Sequence, residues 1–411
     1  QECTTLQHVI CVDDAPDSEL RPGWLSYTAL CAAELPTLER AEADAAGCAT
    51  TELDTMMSYF TSGTTGPPKN VPRDFAYGYA HVTTALYWMD LKEGGVHWTL
   101  TDMGWAKAAW GVLCPQFLAG ATTVIFDPPT FDAKETLDLI GRLGVETFCA
   151  PPTAYRMFVQ QDLASVELGS LRRCISAGEP LNPEVLRTWK EATGTTVADG
   201  YGQTETINVL GNFEGEAIKP GSVGHAVPGF DVDIVDDEGT RLGPEEVGHV
   251  AIRTEGCPWP PGLFRGYVQE DGSINTKPFR HGWYYTGDKA RRDDDGYFWF
   301  EGRSDDIITS SGYRISPFEV ESVLLEHPAV LESAVIGVPD PLRTEAVKAY
   351  IILAVGFEPS DDLVKQLQDF CKEQTAPYKY PRIVEFVKEL PKTISGKIRR
   401  VELREQARVH Q

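Results

Sequence analysis

The chain has 411 residues, with 37 Lys and Arg against 61 Asp and Glu, a formal net charge of −24 at pH 7. That length holds ample core for two to four domains at roughly 100–200 residues each. So acidic a balance speaks against a nucleic-acid binder, which needs a basic face, and against an anionic membrane surface. A polyphosphate ligand would have to be met by locally focused cations.

In chain order, the N-terminal "QECTTLQHVICVDD" has neither signal nor transit features and no initiating Met, which predicts a processed or cut chain. Residues 33–54, rich in Ala, Glu and Thr, read as a linker or surface helix. "MMSYF" reads as a strand, and from Tyr59 the texture is mixed α/β. "ATTVIF" (121–126), "VETFCA" (145–150) and "LRRCISAG" (171–178) predict buried strands. "KETLDLIGRLG" (134–144) has helical spacing at Leu137, Ile140 and Leu143 and stops at Gly144. Strands alternating with helices predict a parallel sheet. Between 220 and 300, "GFDVDIVDDEGTRL", "GHVAIRT" and "GYFWFEGR" alternate with Gly and Asp turns, predicting short antiparallel strands and a small β-barrel.

After "GRSDD" the pattern changes again. Ser316-Pro317-Phe318-Glu319 is a capping box with Pro at the first helical position. "ESAVIGVPD", "AVKAYIILA" and "RIVEFVKEL" predict strands, and Leu363, Leu367 and Phe370 a helical stripe. The expectation is a domain over 1–304 and a small α+β domain over 305–411. The nine cysteines, Cys3, Cys11, Cys31, Cys48, Cys114, Cys149, Cys174, Cys257 and Cys371, are odd in number and form no CxxC pair. They read as reduced structural thiols in an intracellular compartment. No apolar run reaches the roughly 18 residues of a membrane span, and "ARVHQ" carries no C-terminal sorting signal. His81, His97 and His225 lack metal-ligand spacing and read as structural.

"YFTSGTTGPPKN" (59–70) concentrates glycine, hydroxyls and a lysine. A Walker A loop needs G-x-x-x-x-G-K-[ST]. Counted from Gly63, the second glycine falls on Pro68, and Lys69 is followed by Asn70, so that motif fails. The dinucleotide fingerprint G-x-G-x-x-G fails too. Two readings stay open on composition: a solvated loop, or a clamp whose N–H and O–H donors wrap polyphosphate oxygens.

"YFTSGTTGPPK" resembles the phosphate loop of the adenylate-forming superfamily, which includes acyl-CoA synthetases, luciferases and peptide-synthetase adenylation domains. The family's other segments follow in order: "SAGEPL" (176–181), "DGYGQTE" (199–205), "YYTGDKA" (284–290), "GRSDDIITSSGYRISPFEVE" (302–321) and "LPKTISGKIRR" (390–400). The resemblance covers about residues 20 to 405. Within the superfamily, "WTLTDMGWAK", "APYKYPR" and "SSGYRISPFEVESVL" look most like medium-chain acyl-CoA synthetases. These join a carboxylic acid to CoA as ATP goes to AMP and pyrophosphate. The fold implied is a large α/β domain of parallel-rich sheets plus a small β-barrel, followed by a small α+β C-terminal domain.

The resemblance implies roles by position. Adenylation brings two anions together, so it needs cations and preorganised donors more than acid–base groups. Thr61, Ser62, Gly63, Thr64, Thr65, Gly66 and Lys69 would hold the β- and γ-phosphates. Gly178, Glu179 and Pro180 would line the adenine, with Asp199, Gly200 and Tyr201 opposite, and Gly202 and Gln203 would also bind ATP. Thr204 would donate to the α-phosphate, and Glu205 would bind Mg²⁺ through a hard oxygen. Asp288 would accept from both ribose hydroxyls, completed by Arg303. Lys397 would bridge the acid and the α-phosphate.

For the thioester step, rotation about Asp305 would withdraw Lys397 and bring up Ser311, Gly312, Tyr313 and Arg314. Arg343, Lys372, Tyr380, Pro381 and Arg382 would grip CoA, and Trp105, Trp110 and Gly111 would line the acid's tunnel. The implied partners are a carboxylic acid, ATP, Mg²⁺ and CoA, in the mitochondrial matrix or cytoplasm.

Three departures stand out. Arg73 lies near the place of the family's usual His, and "TETINVL" lacks the usual Gly after "TET"; both bear on the choice of acid. Only 58 residues precede Tyr59, where relatives carry a sizeable N-terminal block. A missing layer predicts an exposed apolar face, lower stability and a risk of lost activity. Rival readings are an aryl-acid CoA ligase, an adenylation domain that loads a carrier protein, and a truncated, non-catalytic nucleotide-binding or interaction protein.

Overall fold

The computed structural model describes residues 9–11, 24–26, 29, 50–61, 68–104, 106–126, 128, 130–178, 183–392 and 398–409. The chain divides into two compact units, Gln1–Thr51 and Glu52–Gln411. In the first, β1 (Val9–Cys11) pairs in parallel with β2 (Trp24–Ser26). Most of the 33–54 linker lies outside the described residues.

The second unit opens with β3 (Thr55–Thr61) and β4 (Lys69–Asp74), antiparallel with Thr61 opposite Lys69. Then come β5 (Val96–Thr99), β6 (Thr122–Val124), β7 (Thr147–Cys149), β8 (Arg173–Ala177), β9 (Val197–Gly202), β10 (Asn208–Gly211) and β11 (His225–Ala226). These seven form one sheet in the order β11-β10-β9-β8-β7-β5-β6. It is parallel from β6 to β9 and antiparallel at the β10 and β11 edge. The strands predicted at 121–126, 145–150 and 171–178 are β6, β7 and β8.

The helix Ala133–Arg142 starts where Asp132 accepts from Glu135 N at 2.8 Å. It buries Leu137 and Ile140, but Leu143 falls in the C-cap turn and is 45% exposed, so the expected stripe ends one turn early. Gly144, at φ +63°, supplies the left-handed stop. Trp98, Phe148, Tyr155, Phe158 and Trp189 form the core under this side of the sheet.

Farther on lie β12 (Val232–Val235), β13 (Gly248–Arg253), β14 (Tyr267–Val268), β15 (Ile274–Asn275), β16 (Phe279–Arg280), β17 (Trp283–Arg292) and β18 (Phe298–Arg303). Among the described residues, the barrel expected here is two open antiparallel sheets: β12-β13-β17-β16 with β18 also on β17, and β15-β14-β4-β3. β13 takes one edge of β17, while β16 and β18 share the other, so the ladder does not close. Both sheets and β10 contribute to one core, with Val71, Tyr77, Leu210, Ile234, Ile252, Phe264 and Tyr284.

The last elements are β19 (Ile308–Ser310), β20 (Tyr313–Ile315), β21 (Val330–Asp340), β22 (Thr344–Leu353) and β23 (Ile383–Phe386). Their sheet runs β20-β19-β22-β21, with β23 parallel to β22. Ser316 caps the helix Pro317–Leu325 by accepting from Glu319 N at 3.2 Å, as the capping box predicted. β21 is apolar on both faces because both are covered. Val335 meets Val320, Leu324, Leu363 and Leu367, while Ala334 and Ile336 meet Leu403 and Ala407 of the helix Arg400–Val409.

Elsewhere, Tyr79, Phe117 and Ile125 are 68%, 75% and 68% exposed. No helix among the described residues is long and apolar enough to cross a membrane.

Candidate active site

The turn that leaves β9 carries Gln203, Thr204 and Glu205 towards β17. Gln203 Nε2 donates to Asp288 Oδ2 at 2.6 Å and to the Thr286 carbonyl at 2.9 Å, while its Oε1 accepts from Tyr284 Oη at 2.9 Å. Tyr201 Oη donates to the same Asp288 oxygen at 2.6 Å. Asp288 is only 4% exposed, and its strand partner across β17–β18 is Arg303, whose Nε lies 3.7 Å from Oδ1. A buried carboxylate is tolerable only with such a shell. Burial, then the Asp288 charge, pushes the Tyr201 phenol well above its ordinary value, so it stays a donor. Burial works against the Arg303 charge, but Asp288 and Asp305 outweigh it and raise that group.

Beside this cluster, Tyr267 Oη donates to Glu205 Oε1 at 2.7 Å. Burial and the Glu205 charge raise this phenol too. Lys69, at the exposed start of β4, sits with Nζ 5.0 Å from the centre of the Tyr267 ring. Tyr267 thus meets Lys69 with its ring face and Glu205 with its hydroxyl, linking the phosphate-loop strand to the Glu205 turn. The backbone of that turn is also held: Arg73 donates to the Glu205 carbonyl at 2.8 Å and to the Gly262 carbonyl, and Phe264 N reaches Glu205 O at 2.9 Å. Arg73, expected to bear on the choice of acid, is instead 1% exposed, with its guanidinium 4.1 Å over Tyr77 and clamped to the Glu205 backbone.

The β9 glycines allow this closeness. A Cβ at Gly200 would stand 2.5 Å from Trp88 Cε2, and one at Gly202 2.4 Å from the Ile207 carbonyl. The buried Asp199 carboxylate accepts from Gly200 N at 2.9 Å. Gly178, at φ +109°, follows β8 directly, and Thr204 is half-buried. Trp110 lies 5.7 Å from Trp88, centre to centre, and Gly111 is buried against Thr99. These two residues, expected to line the acid's tunnel, pack with the core. Ser62, Gly63, Thr64, Thr65, Gly66, Trp105, Glu179, Pro180 and Lys397 lie outside the described residues.

Asp305 Oδ1 lies 3.5 Å from Arg303 Nε, and the proposed CoA residues form two groups beyond it. Ser311, at φ +52°, donates its N–H to the Arg343 carbonyl at 2.9 Å; Gly312, at φ +83°, has open space beside it. Lys372 sits 4.4 Å and Arg382 4.7 Å from the Tyr380 ring, next to buried Pro381. Tyr313 stacks on Tyr378 at 4.1 Å and 17°, tying the hairpin of Arg314 to the second group. No group of three or more His, Cys, Asp or Glu among the described residues could hold a metal ion. His97 bonds Thr147 and Thr99, His81 bonds Thr84, and His225 bonds Glu216, in keeping with structural roles.

Residues 3–268 match the family model described as "AMP-binding enzyme", and residues 319–397 match "AMP-binding enzyme C-terminal domain". The chain belongs to the AMP-binding enzyme family. In this family, it is 46% identical over 389 residues to acyl-coenzyme A synthetase ACSM3, mitochondrial, of Mus musculus, covering 93% of this chain and 65% of that protein. It is 50% identical over 354 residues to 4-hydroxybutyrate–CoA ligase 1 of Metallosphaera sedula, covering 85% of this chain and 62% of the ligase. The chain therefore spans just under two thirds of the length of these two curated relatives. The crystal structure of the anthranilate CoA ligase AuaEII in complex with anthranoyl-AMP superposes with a TM-score of 0.86 at 35% identity, covering 99% of this chain and 75% of that one.

Two contributors to the cluster escaped the sequence reading. Tyr284 shares a strand face with Thr286 and Asp288, so period-two alternation within "YYTGDKA" could have found it. Tyr267 had no local signal, because it arrives through the pairing of Val268 with Asn70 across β14 and β4.

Proposed function

We propose that this AMP-binding enzyme is an acid–thiol ligase, which activates a carboxylic acid with ATP, releases pyrophosphate, and passes the acyl group from the adenylate to CoA. The observation that carries this reading is the convergence of Tyr201, Gln203 and Arg303 on Asp288, beside Tyr267, which links Lys69 to Glu205. The first group suits a ribose, because a buried carboxylate already surrounded by donors can take paired hydroxyls. The second suits a polyphosphate with a metal ion: Lys69 supplies charge and Glu205 a hard oxygen of the kind Mg²⁺ prefers. When bound, Mg²⁺ would neutralise charge on the phosphate oxygens. The protein's own residues place donors in advance, which is where most of the catalysis of phosphoryl and nucleotidyl chemistry lies.

In this reading, Thr61 to Lys69 clamp the leaving pyrophosphate and Thr204 faces the α-phosphate. Lys397 acts in adenylation, and Asp305 is the hinge between domains 1–304 and 305–411. Turning about it exchanges Lys397 for the Ser311–Arg314 hairpin, and Arg343, Lys372 and Arg382 meet CoA. A medium-chain fatty acid is the preferred substrate, supported by relatives named as acyl-CoA synthetases of the ACSM type. An aryl acid is the second reading, favoured by the likeness to an anthranilate ligase. The mitochondrial naming of the ACSM relative supports the matrix as compartment.

The test is pyrophosphate exchange over a panel of alkyl and aryl acids, followed by CoA-dependent AMP release, for wild type and Lys397→Ala. The expected result is acid-dependent exchange that Lys397→Ala abolishes. Exchange with no acid on the panel refutes the ligase, and release that needs a carrier protein in place of CoA moves the activity to carrier loading.

A further inference from the structure

The helix Arg400–Val409 begins three residues after Lys397. Two of its arginines turn towards buried carboxylates. Arg400 NH2 donates to both Glu321 oxygens at 2.7 Å, and its NH1 lies 3.8 Å from Asp306 Oδ2. Arg404 pairs with Asp306 Oδ1 and donates to the Asp305 carbonyl at 3.4 Å. The Glu321 and Asp306 side chains are 9% and 7% exposed. Two guanidiniums thus meet two buried carboxylates, which makes their burial tolerable. Glu321 Oε1 also accepts from Val335 N at 2.7 Å, fixing the carboxylate to β21.

The other end of the 393–397 segment is tied as well. Lys392 bridges to Ile398, Arg399 N donates to the Pro391 carbonyl at 2.8 Å, and Lys392 Nζ pairs with Glu332 of β21 at 2.8 Å. Leu403 and Ala407 fill the apolar side of the same helix. The arginines therefore reach backwards, from the helix that follows the segment to the residue next to the proposed hinge.

We infer that Arg400 and Arg404 are positioning residues, which through Glu321 and Asp306 fasten the Lys397 segment to the start of the small lobe and so set where that lysine stands when the acid is adenylated. The inference rests on the ligase reading above. Neither arginine is placed among the nucleotide or CoA contacts. Their effect passes through the segment they hold, so it belongs to the half-reaction that uses Lys397. The thioester step, in which Lys397 is withdrawn, does not depend on it. A pair that only stabilised the lobe would slow both steps together.

Removing one partner would strand a buried charge, so the informative variant replaces both, Arg400→Met with Glu321→Gln, which removes both charges and leaves an amide oxygen to accept from Val335 N. Melting is expected to stay close to wild type. Amide exchange across 391–403 should accelerate by about tenfold or more as local opening becomes easier. Acid-dependent pyrophosphate exchange should fall by about tenfold to a hundredfold, the usual price of a misplacement near 1 Å. AMP release from supplied acyl-adenylate and CoA should stay close to wild type. Unchanged amide exchange overturns the inference, and so does an equal loss in both half-reactions. If the unsubstituted chain shows no acid-dependent exchange, the ligase reading falls, and the amide exchange decides on its own whether these residues hold the segment.

Discussion

Gly200→Ala tests how tightly β9 is built against the tryptophan behind it. The added Cβ would lie 2.5 Å, 2.7 Å and 2.8 Å from Cε2, Nε1 and Cζ2 of Trp88, where ordinary contact begins at 3.4 Å. The ring has little room to retreat. It is 1% exposed, its Nε1 donates to the Ala198 carbonyl at 3.3 Å, and Gly211 presses from another side, where a Cβ would lie 3.0 Å from Cδ1. The strand must therefore move by about 0.9 Å, the gap between 2.5 Å and 3.4 Å.

The next residue is Tyr201, whose 2.6 Å bond to Asp288 does not survive such a shift unchanged. Overpacking of this kind costs about 1–3 kcal/mol, and the pinned ring puts this case near the upper end. Melting should fall by about 5 °C, and acid-dependent exchange by about a hundredfold. Scanning calorimetry and pyrophosphate exchange read the two effects. Gly169→Ala is the control, since nothing lies within 4 Å of its Cβ and its backbone is not left-handed. Trp88→Phe in the Gly200→Ala background should recover part of the melting loss. A Gly200→Ala protein that melts and exchanges like wild type would refute the reasoning.

Arg73→Met leaves the Glu205 and Gly262 carbonyls without their donor in a buried setting, which should cost about 1–3 kcal/mol. A Mg²⁺ titration of activity should show a raised requirement, whereas an effect confined to the choice of acid would return Arg73 to the acid pocket. Asp288→Asn keeps the shape but removes the charge that Tyr201, Gln203 and Arg303 share, so the KM for ATP should rise by roughly tenfold or more, as steady-state kinetics over ATP would read. Burial, aided for His81 by the Arg73 charge, lowers both His81 and His97 from 6.5 to about 3. The unfolded chain therefore takes up those protons first, and stability falls as pH drops from 6.5 towards 3, by up to about 1.4 kcal/mol per pH unit for each ring. Urea midpoints across that range check this, and His97→Gln should flatten the slope. Phe117→Glu should reduce binding of a hydrophobic dye and leave melting nearly unchanged, because that ring is 75% exposed.

Elements whose periodicity and caps agree were legible in the sequence. The helix after Asp132, the Ser316 capping box and the parallel strands β6 to β8 all stood where local pattern placed them. Leu143 was misread because the period alone does not say where a C-cap turns the side chain outwards. Between 220 and 300, alternation marked the strands but not which edges meet. Asp288, Tyr201 and Glu205 were legible as motif residues. The grouping of Tyr201 and Gln203 around the Asp288 carboxylate depends on contacts more than 80 residues apart. Arg73's clamp on the Glu205 backbone was hidden for the same reason: its partner is 132 residues away.

β17 is an inner strand, with β13 on one edge and β16 and β18 on the other. Asp288, the centre of the group proposed to meet the sugar, thus stands on an inner strand, while Lys69 and Glu205, proposed to meet phosphate and metal, stand at a strand end and a turn. On the ligase reading, the contact to the sugar is built before any ligand arrives and adds little ordering cost on association. On that reading, a mutation at the turn alters what meets the phosphates and leaves the strand that meets the sugar untouched.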